Sequence, residues 1–587
     1  MVDQFCQNCK GKFHIEDADI EFYKKMDVPL PTFCPDCRFQ RRLSYLNIRN
    51  LYSRKLSYSE KSVISIYSPD KNFNIVEDKD WYSDKYDFTN FGKDYDFHKP
   101  FFLQFRELME QVPLPHLQRQ YSTFENSDYC NAASGLKNCY LVFSADLDQD
   151  CYYGYSLEEA KDCMDVIFTN KSELCYEGVN LKNCYNCLFC EDLEGSNGMI
   201  FCRDCVGCND CFGSIGLRQK SYYIFNKPYS KEEYQKKIAE FKMSSWSSYQ
   251  KIKKEVEEFF LSVPRKFIHG RNNLNVEGDY VYQSKNVQES FMVEKAEDCK
   301  FTHLLRYLTT GTNNSYDYTM YGCGAELIYE SAWCGLNIHN LKFSLWNYGS
   351  SDLEYCFGCH YSTNLFGCIG LQHKKYCILN KQYTEDEYKA LLPKIKEQMK
   401  NIPYKDKKGN IYRYGEFFPN ELSPFDYNQT LAQEFCPITK EESLNQNYGW
   451  YENKERVIGD FTHWKDLADD IESVDDRVLT KPILCKAYEE NSAVALRHNC
   501  SQIFKIIPQE LGLYRKMGVP LPRYCPNTRC YQKLKQLNPF KLWQRECTCK
   551  ATTHGHPDMC DKIFETSYKP DRKEMVHCEE CYLKEVY

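Results

Sequence analysis

Four cysteines near the start of the chain, Cys6, Cys9, Cys34 and Cys37, fall as two Cys-x-x-Cys pairs separated by 24 residues. Thiolates are soft anionic ligands, and two such pairs can close a tetrahedron around one Zn²⁺; iron takes the same four ligands. Four protein ligands leave no open coordination position, so this set predicts a structural metal rather than a reaction. A module of about 40 residues with so few core positions needs a staple of this kind to fold.

The elements that would position these thiols occur twice. Cys9, Phe13, Ile15, Tyr23, Val28-Pro29-Leu30-Pro31, Cys34, Pro35 and Arg38 recur without a gap 491 positions later as Cys500, Phe504, Ile506, Tyr514, Val519-Pro520-Leu521-Pro522, Cys525, Pro526 and Arg529. In that register Arg497 and Thr528 stand opposite Cys6 and Cys37, so the second module is degenerate. It keeps Cys500 and Cys525, which Cys485, His498 or Cys530 could complete. A further set closes the chain: Cys578-x-x-Cys581 with Cys560, whose fourth place lies open among Cys549, Cys547, His556 and His554, Cys549 being the working choice. One Zn²⁺ is thus expected in the first ribbon and a second at the C-terminal end.

Behind the first ribbon, residues 38–61 carry Arg38, Arg41, Arg42, Arg49 and Arg54 with Tyr45 and Tyr52 between them; Arg529 and Lys533 repeat the arm in the second copy. Such an arm can neutralise phosphates and stack on bases, which would make nucleic acid or a ribonucleoprotein the partner. The alternative is an arm folded onto the protein's own acidic segments, residues 70–96 among them.

Between the modules the texture is short turns with a Cys/aromatic beat of 21 to 24 residues, read as a parallel β-helix-like solenoid over about 126–226 and again over 277–380. The stretch from Phe212 to Tyr234 recurs from Phe366 to Tyr388, and each copy ends in a capping box, Ser230 with Glu233 and Thr384 with Glu387, predicting a helical cap. Cys184, Cys187 and Cys190, and Cys202, Cys205, Cys208 and Cys211, have ligand-like spacing, but a buried ladder explains them with less. Asp146, Asp148, Asp150, Asp162 and Asp165 are expected at turns. Phe101, Phe102, Phe105, Leu108 and Met109 predict a helix facing a core.

Composition narrows the function classes. With 33 Cys and 47 Tyr in 587 residues, the thiols read as metal ligands or small buried hydrophobes of a reducing compartment. No secretory leader or long apolar span is apparent, so a cytoplasmic protein without a membrane is expected. A net charge of −8 excludes a globally basic nucleic-acid coat and leaves only local patches. No phosphate loop, nucleophile elbow or HExxH motif occurs, so nothing argues for an enzyme.

The strings Val28-Pro29-Leu30-Pro31, Cys34-Pro35-Asp36-Cys37-Arg38, Tyr67-Ser68-Pro69-Asp70-Lys71, Cys436-Pro437-Ile438-Thr439 and Phe564-Glu565-Thr566-Ser567-Tyr568 are similar to those of uncharacterised zinc-ribbon, Tyr/Cys-rich repeat proteins of ultra-small candidate-phyla bacteria. The resemblance spans most of the chain and implies zinc and architecture, with no activity attached.

The expected fold is mainly β and multi-domain, with terminal zinc ribbons flanking a duplicated parallel β-helix-like solenoid with helical caps. Its segments are a ribbon and basic arm (1–61), an acidic linker and helix (62–125), a first solenoid (126–228), a cap (229–276), a second solenoid (277–382), a cap and linker (383–435), a degenerate ribbon (436–546) and a metal-binding module (547–587). The expected function is a non-catalytic zinc-binding scaffold whose arms contact nucleic acid. A purely protein-binding scaffold and a β-helix carbohydrate enzyme are the alternatives.

Overall fold

The computed structural model describes residues 1–306, 310–452 and 459–586. The fold is mainly β with parallel solenoids, as expected. Its segments gather into two compact units, each built from two separated stretches: Met1–Gln118 with Ile268–Tyr451, and Arg119–Phe267 with Glu452–Tyr587. Each unit therefore joins one terminal module to one coil.

In the second unit, seven four-residue strands from Asn131–Ser134 to Arg203–Val206 pair in parallel and in chain order. Asn131 lies beside Phe143, Phe143 beside Tyr155 and Tyr155 beside Ile167, a turn of 12 residues. The beat of 21 to 24 residues is thus corrected to 12; the longer spacing spans about two turns. Cys130, Ala133, Leu136, Cys139 and Val142 all enter one core, three residues apart. From Ala133 onward the residue before each inward one is left-handed: Asn138, Leu141, Ser144, Leu147 and Asp150, for example, have φ of 52° to 61°.

That corner explains the cysteines. In a plain strand, residues three apart face opposite sides, whereas a left-handed corner every third residue returns each to the same side. Cys139, Cys151, Cys163, Cys175 and Cys187 form a ladder with one rung per turn, buried among Leu, Val and Ala. Their S–H groups reach backbone carbonyls two residues earlier, as from Cys151 to Gln149 at 3.3 Å and from Cys163 to Lys161 at 3.2 Å. Cysteine is small and apolar enough for this narrow core and carries its own weak donor. Space is tight: a Cβ at the inward-facing Gly154 would lie 2.3 Å from a Leu157 methyl. Left-handed corners cost about 1–2 kcal/mol per residue in general, least for Asn and Asp with their local hydrogen bonds. Here Asn126 donates to Asn138 and Asn138 to Asp150, one turn apart, at 3.1 and 3.0 Å.

The first unit's coil runs from Gly270–Arg271 to Lys381–Gln382, parallel until the antiparallel last pair. Here the turn varies: Lys285 pairs with Glu297, Glu297 with Asn313 and Asn313 with Glu326. Both capping boxes form, and the helices Lys231–Ile238 and Glu385–Asn401 follow them. The expected helix is Phe101–Gln111, with Phe101, Phe102, Phe105, Leu108 and Met109 buried. Among the described residues no helix is long and apolar enough to cross a membrane.

Candidate metal centres

In the first unit a hairpin, Val2–Phe5 with Lys12–Ile15, turns through Cys6 and Cys9. The turn is closed by the Cys6 N–H on the Gly11 carbonyl at 2.9 Å. Cys34 is the N-cap of the arm helix Pro35–Leu43, and Pro35 suits the first helical position because no N–H is needed there. That places Cys37 in the first turn, beside Cys34. The four sulfurs lie within 4.8 Å of one another, with Cys9 Sγ 3.7 Å from Cys34 Sγ. The Asn8 amide sits 3.5 Å from Cys37 Sγ as an outer donor. Hydrogen bonds from Cys34 and Cys37 pull the Cys6 thiol far below its ordinary range, while those with Cys37 and Cys6 push Cys34 far up. A shared proton network of this kind suits a set that gives up its protons together to a cation.

The metal set fixes the start of the arm helix, and the helix delivers the arm. Its three arginines are buried against carboxylates of the same unit. Arg38 Nη2 lies 2.7 Å from Asp317, Arg42 Nη1 3.1 Å from the same carboxylate, and Arg41 Nη2 2.9 Å from Glu330 and 3.4 Å from Glu416. The Arg41 guanidinium also lies 4.3 Å from the Phe33 ring centroid. Burial pulls Arg42 down against Asp317 and Glu330, and pushes Glu416 up against Arg41. Three cations and three carboxylates thus meet out of water. Arg49 pairs with Glu434 at 2.7 Å, and Arg54 donates to the Ser68 carbonyl at 3.2 Å.

The second unit repeats the docking. The helix Pro526–Leu534 is capped by Cys525; Arg529 Nε lies 3.0 Å from Asp165 and Lys533 Nζ 3.8 Å from it. Tyr153 stacks under Arg529 at 4.8 Å and donates to Glu510 at 2.8 Å. Arg38 and Arg529 occupy equivalent places, and so do Arg42 and Lys533. Arg54 and Arg545 are equivalent too, since Arg545 donates to the Lys569, Arg572 and Glu574 carbonyls. These observations correct the reading of Arg38, Arg41, Arg42, Arg49, Arg529 and Lys533 as phosphate contacts: all six are buried on internal carboxylates, and Arg54 is turned inward onto carbonyls. The acids that receive Arg38, Arg41 and Arg42 lie on coil strands and the segment after the coil, not in 70–96.

The degenerate ribbon is less damaged than its gapless alignment implies. Cys485, Cys500 and Cys525 have their sulfurs within 4.8 Å of one another, and Thr528 Oγ1 fills the fourth place, 3.3 Å from Cys525 Sγ. Cys485 follows Ile483–Leu484, which pairs with Ile503–Phe504 as the strand before Cys6 pairs with its partner. The counterpart of Cys6 is therefore Cys485 rather than Arg497, displaced by the two short helices Lys486–Glu490 and Ser492–Arg497. His498 stacks on Tyr531 and stays outside the set.

At the C-terminal end, Cys547, Cys560, Cys578 and Cys581 form a buried four-sulfur group. Cys547, not Cys549, completes that set with the three expected thiols. Cys549 instead falls with His554 and His556 in a second group that also includes Cys581. The loop between strands Trp543–Glu546 and Ile563–Thr566 supplies Cys547, Cys549, both histidines and Cys560. The helix Glu579–Val586 supplies Cys581, and its Tyr582 hydroxyl donates to Asp204 on the coil at 2.6 Å.

No family model matches this chain, and no curated protein does. One crystal structure, which carries the name of an acetyltransferase from Desulfovibrio desulfuricans G20, aligns at 12% identity over 50% of this chain and 74% of that one. Its TM-score is 0.12, so the overlap carries no argument.

The five aspartates do not gather in a groove. Asp148 points into the coil and accepts from the Ala160 N–H, Asp146 accepts from Ser134, Asp150 from Asn138, and Asp162 and Asp165 pair with Lys516 and Arg529. Asp150, Asp162 and Asp165 do sit at left-handed corners, as turn residues would. Asp148 differs, because one inward position accommodates a hydrogen-bonded carboxyl.

The acids that receive the arms were missed by sequence reasoning, and their signal is faint: Asp165 and Asp317 stand 152 apart, close to the offset of 154 between the coil ends. A stronger signal was available for the last site. Tyr67, Pro69 and Asp70 recur as Tyr568, Pro570 and Asp571, offset by 501 rather than 491, which marks a ten-residue insertion in the loop that carries its cysteines and histidines.

Proposed function

We propose that this chain is a non-catalytic, zinc-stapled scaffold of the cytoplasm, in which each ribbon module clamps its cationic arm onto the acids of its own unit. The observation that carries this reading is the recurrence of one buried contact, Arg38 on Asp317 and Arg529 on Asp165, behind two ribbons whose ligand sets have diverged. Zinc is the ion because closed sets of thiolates with tetrahedral spacing suit it and leave no position for substrate. The coils then offer rigid lateral surfaces to protein partners. Metal analysis of the reduced full chain tests the staple, with zinc expected at the first ribbon and at the C-terminal module. A gel-shift series with random RNA and DNA over a range of salt tests the partner class. No shift is expected at moderate salt; a shift that weakens steeply as salt rises would restore the nucleic-acid reading through other basic residues.

A further inference from the structure

The C-terminal module holds more ligands than one ion can use. Cys547, Cys560, Cys578 and Cys581 make one group of four, and Cys549, His554, His556 and Cys581 make another; within each, the ligand atoms lie inside 4.8 Å of one another. Only Cys581 belongs to both. We propose that this module binds two metal ions bridged by the Cys581 thiolate, an inference that rests on the metal reading of the same module.

Each histidine is set up as a ligand. His554 turns Nδ1 toward Cys549 Sγ at 3.2 Å, while its Nε2 faces the Glu585 carboxylate at 3.6 Å. His556 turns Nε2 toward Cys581 Sγ at 3.6 Å, while its Nδ1 lies 2.7 Å from the Asp558 carbonyl. In His556 the outer nitrogen is held by the Asp558 carbonyl, which fixes the N–H there and leaves the lone pair facing Cys581, as in metal-ligating histidines; in His554 the Glu585 carboxylate lies on the outer side of the ring and favours the same orientation. With metal–sulfur bonds of about 2.3 Å and metal–nitrogen bonds of about 2.0 Å, a tetrahedron has sulfur–nitrogen edges of about 3.5 Å, close to both spacings. The outer donors of the first group are present too: the Cys578 N–H points at Cys547 Sγ at 3.2 Å.

Charge favours the pair. Four thiolates around one divalent ion leave a doubly negative buried site, whereas five thiolates and two neutral imidazoles around two divalent ions leave a single negative charge. Cys549 is fully buried, so a thiolate there needs a cation of its own. The second ion also explains why Cys549, His554 and His556 converge on a sulfur that already completes another set. A thiolate has lone pairs enough to bridge, and the seven residues then fill the eight coordination places of two tetrahedra.

The test uses the reduced full-length protein, with metal counted by native mass spectrometry. Wild type is expected to hold one ion more than His554→Ala/His556→Ala, and two more than Cys578→Ser/Cys581→Ser. If the histidine variant keeps the wild-type count while the cysteine variant loses one ion, the bridge is overturned and the single-ion reading stands. If neither variant loses metal, both readings fail. Cadmium NMR of the wild-type protein avoids variants that misfold. Two cadmium resonances from this module, split by coupling through one sulfur, are expected; a lone uncoupled resonance overturns the bridge.

Discussion

The two terminal modules have the same plan and place their metal ligands differently. In the first unit, the ribbon holds four cysteines, and the hairpin behind it, Tyr52–Lys55 with Ser62–Ser65, closes on a six-residue loop and an ion pair between Lys61 and Glu77 at 2.6 Å. In the second unit, the ribbon has three cysteines and Thr528, while the matching hairpin opens into a sixteen-residue loop of ligands, with Cys578 standing where Glu77 does. The metal set is full in one place in each unit, and the place has moved. What has not moved is the docking: Arg38 and Arg529 on a coil aspartate, Arg54 and Arg545 on the carbonyls of a Pro-Asp turn. The difference teaches that the docking contact is common to both units, whereas the complete thiol set is not tied to one place in the module.

The largest expected effect is loss of a full thiol set. Cys34→Ala should release the first ribbon's ion and cost several kcal/mol, since structural zinc binding is itself worth about 10–16 kcal/mol in isolated fingers. Cys525→Ala should cost clearly less in equilibrium denaturation, and equal losses would break the contrast. Acid should act in the same direction. Thiols must be deprotonated to hold an ion, so acid competes with the metal for all four sulfurs, and metal released on acidification should track loss of ribbon signals.

Removing the acid under an arm comes next. Asp317→Ala strands Arg38, leaves Arg42 only the Glu330 carboxylate at 3.6 Å, and should cost about 3–5 kcal/mol in denaturant unfolding. Asp165→Ala should cost less, because Lys533 sits 3.8 Å away and has less to lose. Thr528→Cys should sharpen the comparison from the other side, adding one bound ion per chain to the second ribbon in a mass-spectrometric count. Smallest are Arg54→Ala and Arg545→Ala, expected to cost about 1–3 kcal/mol each by loss of charge-assisted hydrogen bonds to carbonyls, and nearly equal because the two clamps match.

Local spacing made the first thiol set, the capping boxes and the Phe101–Gln111 helix readable from the sequence, since each depends on residues within about one turn or one loop. The coil was readable in class but not in period, because the left-handed corner that turns Cys184, Cys187 and Cys190 inward is a backbone state no side chain announces alone. The basic arms show a limit of another kind. Their partners, Asp317 and Asp165, lie hundreds of residues away in sequence, and net charge says nothing about which carboxylate a buried arginine will meet. Cys485 and Cys547 stood among the candidates, but insertions that shift register inside a ligand set kept spacing alone from singling either of them out.

The central claim is that metal holds the ribbons so that the ribbons hold their arms. Hydrogen exchange of the full-length protein before and after metal extraction tests it most directly. Extraction should deprotect the arm helix Pro35–Leu43 strongly and Pro526–Leu534 more weakly, while the coil strands Asn131–Ser134 to Arg203–Val206 keep their protection. Arm helices as protected without metal as with it would contradict the claim.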